Sequence, residues 1–425
     1  MDEVADVRIR SGVIEAIGQL EPEVGERVLE VENLAVIPGL IDVHVHLREP
    51  GQEWKETIGT GTAAAAAGGF TTVFCMPNTE PALDSVAVLA ELERRAAQDA
   101  AVRLRVIAAI TEARRGNREV DFDALAQAGA VGYSDDGQST ADSAIMVRAL
   151  EASRRNGIPV MVHCEDPALA RGAMHDGDVS RCLGFAGIPA AAEEIFIERD
   201  LALARLTGGW LHVCHVSTAR GADGIDAGRR EGVNVTAEVT PHHLLMDDEW
   251  VAGSRSFVRR GMSERKPGVA GHADTKVNPP LRRRGDAEGL LNALKTGKIE
   301  LVATDHAPHA EAEKSGKSFH GAAFGLTGSE LAVPLMLELV RGGYLEFSEV
   351  VRALSCVPAR LWKLGTGTLR PGSAADIAVI DVNESWVVSP DRVYSRGLNT
   401  PLLGAELRGR VKLTLVGGDE RHRDW

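Results

Sequence analysis

Two histidines, His44 and His46, stand two residues apart at the end of the apolar run in IDVHVHLREPG, residues 41–51. In an extended strand residues i and i+2 share a face, so both imidazoles aim at one spot. Neutral imidazoles are good ligands for a transition metal, but a histidine pair by itself is more often partly buried and simply hydrogen-bonded. The same chemistry recurs along the chain. Asp135 and Asp136 follow the apolar run 130–133, His163 ends 160–163, His215 follows 210–214, and Asp305 with His306 follows 299–303 in LVATDHAPH. A strand-terminal Asp commonly caps a helix, so none of these carries weight singly. As a set, four imidazoles and two carboxylates at strand ends are a costly concentration of polar groups unless a cation gathers them.

Six N/O ligands without a thiolate fit a two-metal hydrolytic centre better than a closed structural zinc site. The residues divide as His44, His46 and Asp305 around one ion and His163 and His215 around the other. An aspartate of the Asp135–Asp136 pair lies between them. Zn2+ is the expected cofactor, one or two ions per subunit, with two the expected number. Hydroxide held between ions about 3.5–4 Å apart is the expected nucleophile. Asp305 is the expected catalytic acid–base, taking a proton and returning it to a leaving amide nitrogen. His212, His242 and His243 read as structural; His212 is an odd number of positions from His215 and is expected on the opposite strand face. Cys164 and Cys214 neighbour ligand positions without the paired base a nucleophilic thiol needs. Glu165 and Asp166 are expected to support His163.

These side chains need elements that end at one rim. The run 34–46 reads as a strand buried on both faces, and similar runs follow at 71–75, 102–110, 130–133, 160–163, 210–214, 233–239 and 299–303. Helical patterns lie between them, for example 85–97, 143–155, 190–206 and 286–295, and a last pair at 328–341 and 347–355 closes the series. Eight buried strands with crossover helices predict a (β/α)8 TIM-type barrel over 37–365, whose chemistry belongs at the carboxyl ends of the strands. Residues 1–36 and 366–425 read as short strands and turns and are expected to pair into one small β-rich accessory domain. The polar, basic stretch 254–274 is the expected mobile loop.

Read in order, the blocks IDVHVHLREPG, GGFTTVFCMPNTEP, GYSDDG, VMVHCED, LHVCHVST, AEVTPHHL, KVNPPLR and ATDHAPH resemble those of the dihydroorotases, in the long type I branch of the amidohydrolase superfamily. That resemblance implies reversible cyclisation of N-carbamoyl-L-aspartate to L-dihydroorotate in pyrimidine (UMP) biosynthesis. It also implies that Asp136 is the bridging ligand, where hydantoinases and allantoinases use a carboxylated lysine; the run 130–133 holds no lysine. For the substrate it implies carboxylate contacts from Arg48, Asn78 and His309, with His46 beside them. Asn278 and the backbone at Phe324 and Gly325 would hold the ring. Arg48 has a physical warrant as well, since a guanidinium forks onto a carboxylate. Without the surrounding blocks, Asn78 and Asn278 read as turn residues next to prolines. Two features depart from the family pattern: few strands precede residues 7–18, and 254–272 is long and basic. Both bear on lid closure or partner docking.

Composition narrows the rest. A formal net charge of −14 disfavours nucleic acid and anionic membrane surfaces as partners. Five scattered cysteines without a C-x-x-C pair, and an acidic amino terminus, predict a reducing cytoplasmic setting. The expected partners are a small-molecule substrate, further copies in a homo-oligomer, and aspartate transcarbamoylase. Two other readings stand beside the first: a hydrolase of another cyclic amide such as a hydantoin or allantoin, and a non-catalytic scaffold for the transcarbamoylase.

Overall fold

The computed structural model describes residues 4–258 and 268–425. A hairpin of β1 (Asp6–Arg10) and β2 (Val13–Gly18) comes first. The apolar run read above as one strand is two, β3 (Ala35–Pro38) and β4 (Leu40–Val45). They part at Gly39, where a side chain would collide with Thr71, so only glycine lets the chain pass from one sheet to the next. β4 begins a parallel series with β5 (Phe70–Cys75), β6 (Arg103–Ala108), β7 (Gly132–Tyr133) and β8 (Val160–Val162). A small parallel pair outside the series, β9 (Met174–His175) and β10 (Gly187–Ile188), intervenes. The series resumes with β11 (Leu211–Val213), β12 (Val235–Val239) and β13 (Leu301–Val302).

These eight strands form one sheet, from β4 at one edge to β13 at the other. The edges meet where His46 N donates to His306 O at 2.9 Å and Val45 bridges His306 in parallel. The sheet is therefore a closed barrel with helices outside, as the alternation of buried strand and helix predicts. Ile41, Val43, Phe74, Met76, Ile107, Met161, Cys214, Leu301 and Ala303 pack together as its interior. The last helical stretch, expected to stop at 355, runs on through a π-helical turn at Arg352–Cys356 to Val357–Leu361. It continues because Val357 and Ala359 still have apolar surface to bury: they join the barrel interior from below, with Trp362 edge-on to Phe74. One end of the barrel is plugged, and the rim at the strands' carboxyl ends carries the polar residues.

After the barrel, β14 (Ile377–Val387), β15 (Glu406–Val416) and β16 (Asp419–Arg423) form an antiparallel sheet that β3 completes in the order β16-β15-β14-β3. The expectation of one sheet from both ends needs refining. The β1–β2 hairpin is separate and packs Ile14, Val7 and Ile9 against Ile377, Val379, Leu413 and Leu415. Of the basic stretch 254–272, residues 259–267 lie outside the described residues.

Candidate metal centre

β4 delivers its histidines through a bulge. Asp42 pairs with Val73 and Val45 with Cys75, so β4 takes one more residue than β5 over this interval. Val43 packs inside the barrel, and the extra residue brings His44 inward as well. His44 Nδ1 then lies 2.6 Å from Glu238 Oε1. His46 Nδ1 lies 2.8 Å from Asn78 Oδ1. With those nitrogens engaged, both Nε2 atoms face the centre, and His44 Nε2 is buried without a hydrogen-bond partner among the described residues.

Asp136 occupies the middle. Its Oδ2 is 3.5 Å from Nε2 of both His44 and His46, while its Oδ1 is 3.2 Å from His215 Nε2 and 3.8 Å from His163 Nδ1. One carboxylate thus faces two pairs of imidazoles with different oxygens. Asp305 Oδ1 stands 3.0 Å from His46 Nε2 and 3.6 Å from His44 Nε2. His163 Nε2 is turned the other way, 3.3 Å from Glu165 Oε2. The six residues expected at the rim are therefore together. Asp135 is not among them: it accepts from Ile110 N at 3.0 Å, Thr111 N at 3.1 Å and Thr111 Oγ1 at 2.6 Å, fastening β7 to the end of β6.

Ligand atoms of His44, His46 and Asp305 lie within 4.8 Å of one another, and so do those of His44, Asp136 and His215. Burial opposes ionisation of Asp136 and Asp305, but the fields and hydrogen bonds of His44, His46 and His215 outweigh it, and both carboxyls fall below their usual range. For Glu238 burial is again outweighed, by His44 and His212, and its carboxyl falls to about 2. Burial disfavours a charged His44, yet Asp136 and Glu238 raise its imidazole well above the ordinary value. Three ionised carboxylates in a buried site call for positive charge, and N and O donors converge on it. The donor set fits divalent cations of the zinc type.

Backbone strain marks the same rim. Arg48 at φ 63°, His215 at φ 34° and Asp305 at φ 49° all hold left-handed conformations that non-glycine residues avoid. Such strain persists only where the surroundings over-determine it, which is common at active sites. The turn at His215 also overturns the expected place of His212. Strand geometry stops at Val213, so alternation does not extend to His215. His212 points inward, with Nε2 3.0 Å from Glu238 Oε2. Asp166 is elsewhere too: its Oδ1 accepts from Ala168 N at 2.8 Å and closes its own turn. Cys164 and Cys214 are buried, and burial raises both thiols, which suits packing rather than nucleophilic chemistry.

Two residues that position the centre escape the sequence reading. Glu238 links His44 to His212, and the signal was a lone acid in the buried strand VTAEV. Asp42 accepts from Thr304 N at 3.0 Å, Thr304 Oγ1 at 2.5 Å and His44 N at 3.2 Å, tying the strand of His44 to the loop of Asp305.

The expected substrate contacts border the centre. Arg48 is buried, its Nε donating to Pro308 O at 3.1 Å and its Nη2 lying 3.4 Å from His309 Nε2. Burial lowers its guanidinium to about 10, which leaves it charged at neutral pH, and among the described residues it has no ion pair. His309 Nε2 sits 2.8 Å from Phe324 O. Burial, then Arg48, push its imidazole down to about 2, so the ring is neutral. Asn78 gives its oxygen to His46. Asn278 Nδ2 donates to Glu165 Oε2 at 3.0 Å and lies 3.2 Å from His163 Nε2, and its Oδ1 is buried without a partner among the described residues. Gly325 N donates to Lys276 O at 2.9 Å. Asn78 and Asn278 thus touch imidazoles of the candidate metal centre, a link that turn propensity does not reveal.

Comparison with known proteins agrees with this geometry. A family profile described as Dihydro-orotase-like matches residues 34–221. A dihydroorotase of Anaeromyxobacter dehalogenans (strain 2CP-C) is 44% identical over 426 residues, covering 100% of this chain and 95% of its own. One from Syntrophus aciditrophicus is 41% identical, covering 98% and 95%. Among solved structures, the L-hydantoinase (dihydropyrimidinase) of Arthrobacter aurescens superposes with a TM-score of 0.84 at 25% identity, covering 98% of this chain and 92% of its own. Fold, rim chemistry and full-length identity converge, and the chain belongs to the dihydroorotase family of cyclic-amide hydrolases.

Proposed function

We propose that the chain is a zinc-dependent dihydroorotase that interconverts N-carbamoyl-L-aspartate and L-dihydroorotate in pyrimidine biosynthesis. The observation that carries this is Arg48, a buried cation without an acidic partner among the described residues, beside the carboxylate-and-imidazole cluster. A substrate with its own carboxylate pairs with it, whereas a neutral ring forgoes that charge-assisted contact, worth about 1.5–3 kcal/mol.

His44, His46 and Asp305 would hold one ion, His163 and His215 the other, with Asp136 shared. Bound there, divalent ions supply Lewis acidity and ease the deprotonation of water. Asp305 is the acid–base residue: in ring opening it takes the proton of the attacking water and delivers it to the ring nitrogen as the amide C–N bond breaks. In ring closure the ureido nitrogen bonds to the side-chain carboxyl carbon, Asp305 carries the proton the other way, and water leaves. Glu238 and Asn78 keep the His44 and His46 rings oriented. Arg48 and His309 hold the substrate carboxylate, while Asn278 and the backbone at Phe324 and Gly325 hold the ring.

Purified protein is expected to turn over dihydroorotate and carbamoyl aspartate, to lose that activity to a chelator and to regain it with zinc. Absence of turnover with zinc bound would favour a scaffold for aspartate transcarbamoylase. The hydantoinase-like fold supports a second reading, a neutral cyclic amide as substrate. Faster turnover of hydantoin or allantoin than of dihydroorotate would establish that instead. We further expect a homo-oligomer and a cytoplasmic location; no helix among the described residues is long and apolar enough to cross a membrane. Sedimentation with and without transcarbamoylase tests the assembly.

A further inference from the structure

Asn399 lies between β14 and β15, outside the barrel strands, and is only 3% exposed. Its Oδ1 accepts from His309 N at 2.8 Å. Its Nδ2 donates to Ala307 O at 3.0 Å and to Gly325 O at 3.1 Å. Its own carbonyl accepts from Thr327 N at 3.1 Å. One side-chain amide thereby clamps the two loops that carry His309 and Phe324–Gly325. No metal-facing side chain is among its partners.

The segment that brings Asn399 there is itself fixed. Ser395 Oγ donates to Glu56 Oε2 at 2.6 Å, and Tyr394 N donates to Glu330 Oε1 at 2.7 Å. At Gly397 a Cβ would lie 2.7 Å from Pro308 Cβ, so the backbone rests on the residue whose carbonyl receives Arg48 Nε. Two buried carboxylates, Glu56 just before the helix Ile58–Ala67 and Glu330 in the 3-10 turn Ser329–Leu331, thus anchor a strap, and the strap holds the substrate loops.

We propose that Asn399 is a positioning residue for the substrate: through His309 and Gly325 it sets the spacing between the carboxylate contacts and the ring-facing backbone. The proposal rests on the dihydroorotase reading. A buried, fully satisfied amide has one arrangement, and its loss leaves His309 N and two carbonyls unpartnered. Displacing a contact by an ångström can cost about 10²-fold when binding and alignment depend on it.

The test combines steady-state kinetics on dihydroorotate with calorimetric binding of orotate, a planar ring bearing the same carboxylate. In Asn399→Ala, KM and the orotate Kd are expected to rise about tenfold or more, with kcat held within about threefold. Zinc content is expected to be unchanged. Asn399→Asp keeps the acceptor for His309 N but opposes two carbonyls with a carboxylate, so its KM is expected to rise at least as far. In a His309→Ala background most of the effect of Asn399→Ala should disappear, because the two act as one unit. Unchanged KM and Kd, or full additivity with His309→Ala, would overturn the proposal; so would equal losses of kcat and zinc. If Asn399→Ala is not recovered folded, Asn399→Ser carries the same comparison. Wild-type protein that binds orotate without turning over dihydroorotate would count against the catalytic reading alone, and the orotate affinities would still decide the clamp.

Discussion

Around Asp136 the functional groups sit at or just beyond the ends of barrel strands, and side-chain pairs such as His44–Glu238 and His46–Asn78 hold them. Around Arg48 they sit on loops, and backbone carbonyls and amides hold them. Lys276 Nζ donates to His320 O and Ala322 O at 2.8 Å, and Lys314 Nζ to the carbonyls of Ala273, Lys276 and Ala323 at 2.9 Å. The half proposed to hold metal inherits its precision from the sheet. The half proposed to hold substrate must have precision supplied from outside it, by buried donors and by Asn399. Changes in the metal half should therefore strike turnover or metal affinity, and changes in the substrate half should strike KM.

Asp305→Asn is the sharpest way to break that division. The amide keeps an oxygen toward the metal but cannot exchange a proton, so kcat should fall about 10²–10⁴-fold while zinc, measured by elemental analysis, largely remains. A kcat near the wild-type value would remove Asp305 from the chemistry. Arg48→Met probes the other half. Loss of a charge-assisted contact worth about 1.5–3 kcal/mol should raise KM for dihydroorotate roughly 10- to 150-fold. A carboxylate-free ring such as hydantoin should gain nothing from Arg48, and equal effects on both rings would erase the substrate side of the comparison.

Glu238→Gln sharpens the metal half from beneath. The amide can still meet His44 or His212, but it cannot supply the negative charge that both rings share. Zinc affinity, read by competition with a chromogenic chelator, should drop about 10- to 100-fold, as is usual when a ligand's supporting partner is lost. At saturating zinc kcat should largely recover, and KM should hardly move.

How legible each half was follows from the same contrast. The residues of the candidate metal centre are legible because strand ends are marked locally: buried apolar runs stop, and His or Asp follows, as at His163 and His215. The limits were local too. The bulge before His44 and the left-handed turn at His215 break alternation, and because of that turn His212 and His215 face the same way despite their odd spacing. Leu34 to Val45 read as one strand because buried strands of two different sheets look alike, and only the collision at Gly39 separates them. On the substrate side Arg48 was legible from charge next to the metal motif. Asn399 was not, because nothing near it in sequence announces that its amide reaches His309, Ala307 and Gly325. A buried amide that bonds backbone groups leaves no periodicity and no charge to read.

Lys314→Met should give the smallest effect on turnover, and it tests whether the loop scaffold matters apart from the residues it presents. The ammonium is almost fully buried and all three of its protons are engaged, so removing it leaves three carbonyls short of a donor. Against that stands the cost of burying the charge: desolvation lowers the Lys314 amine to about 7, and a methionine of similar length avoids the cost altogether. The two terms oppose each other, so the net loss of stability should be only about 1–3 kcal/mol, visible as a lower denaturation midpoint. Phe324 and Gly325 lie next to one of the freed carbonyls, at Ala323, so KM should rise by a few-fold, on the order of one weak hydrogen bond, with kcat and zinc content unchanged. A fall in kcat instead would mean that the loops reach the reacting atoms, and the separation between the two halves would have to be abandoned.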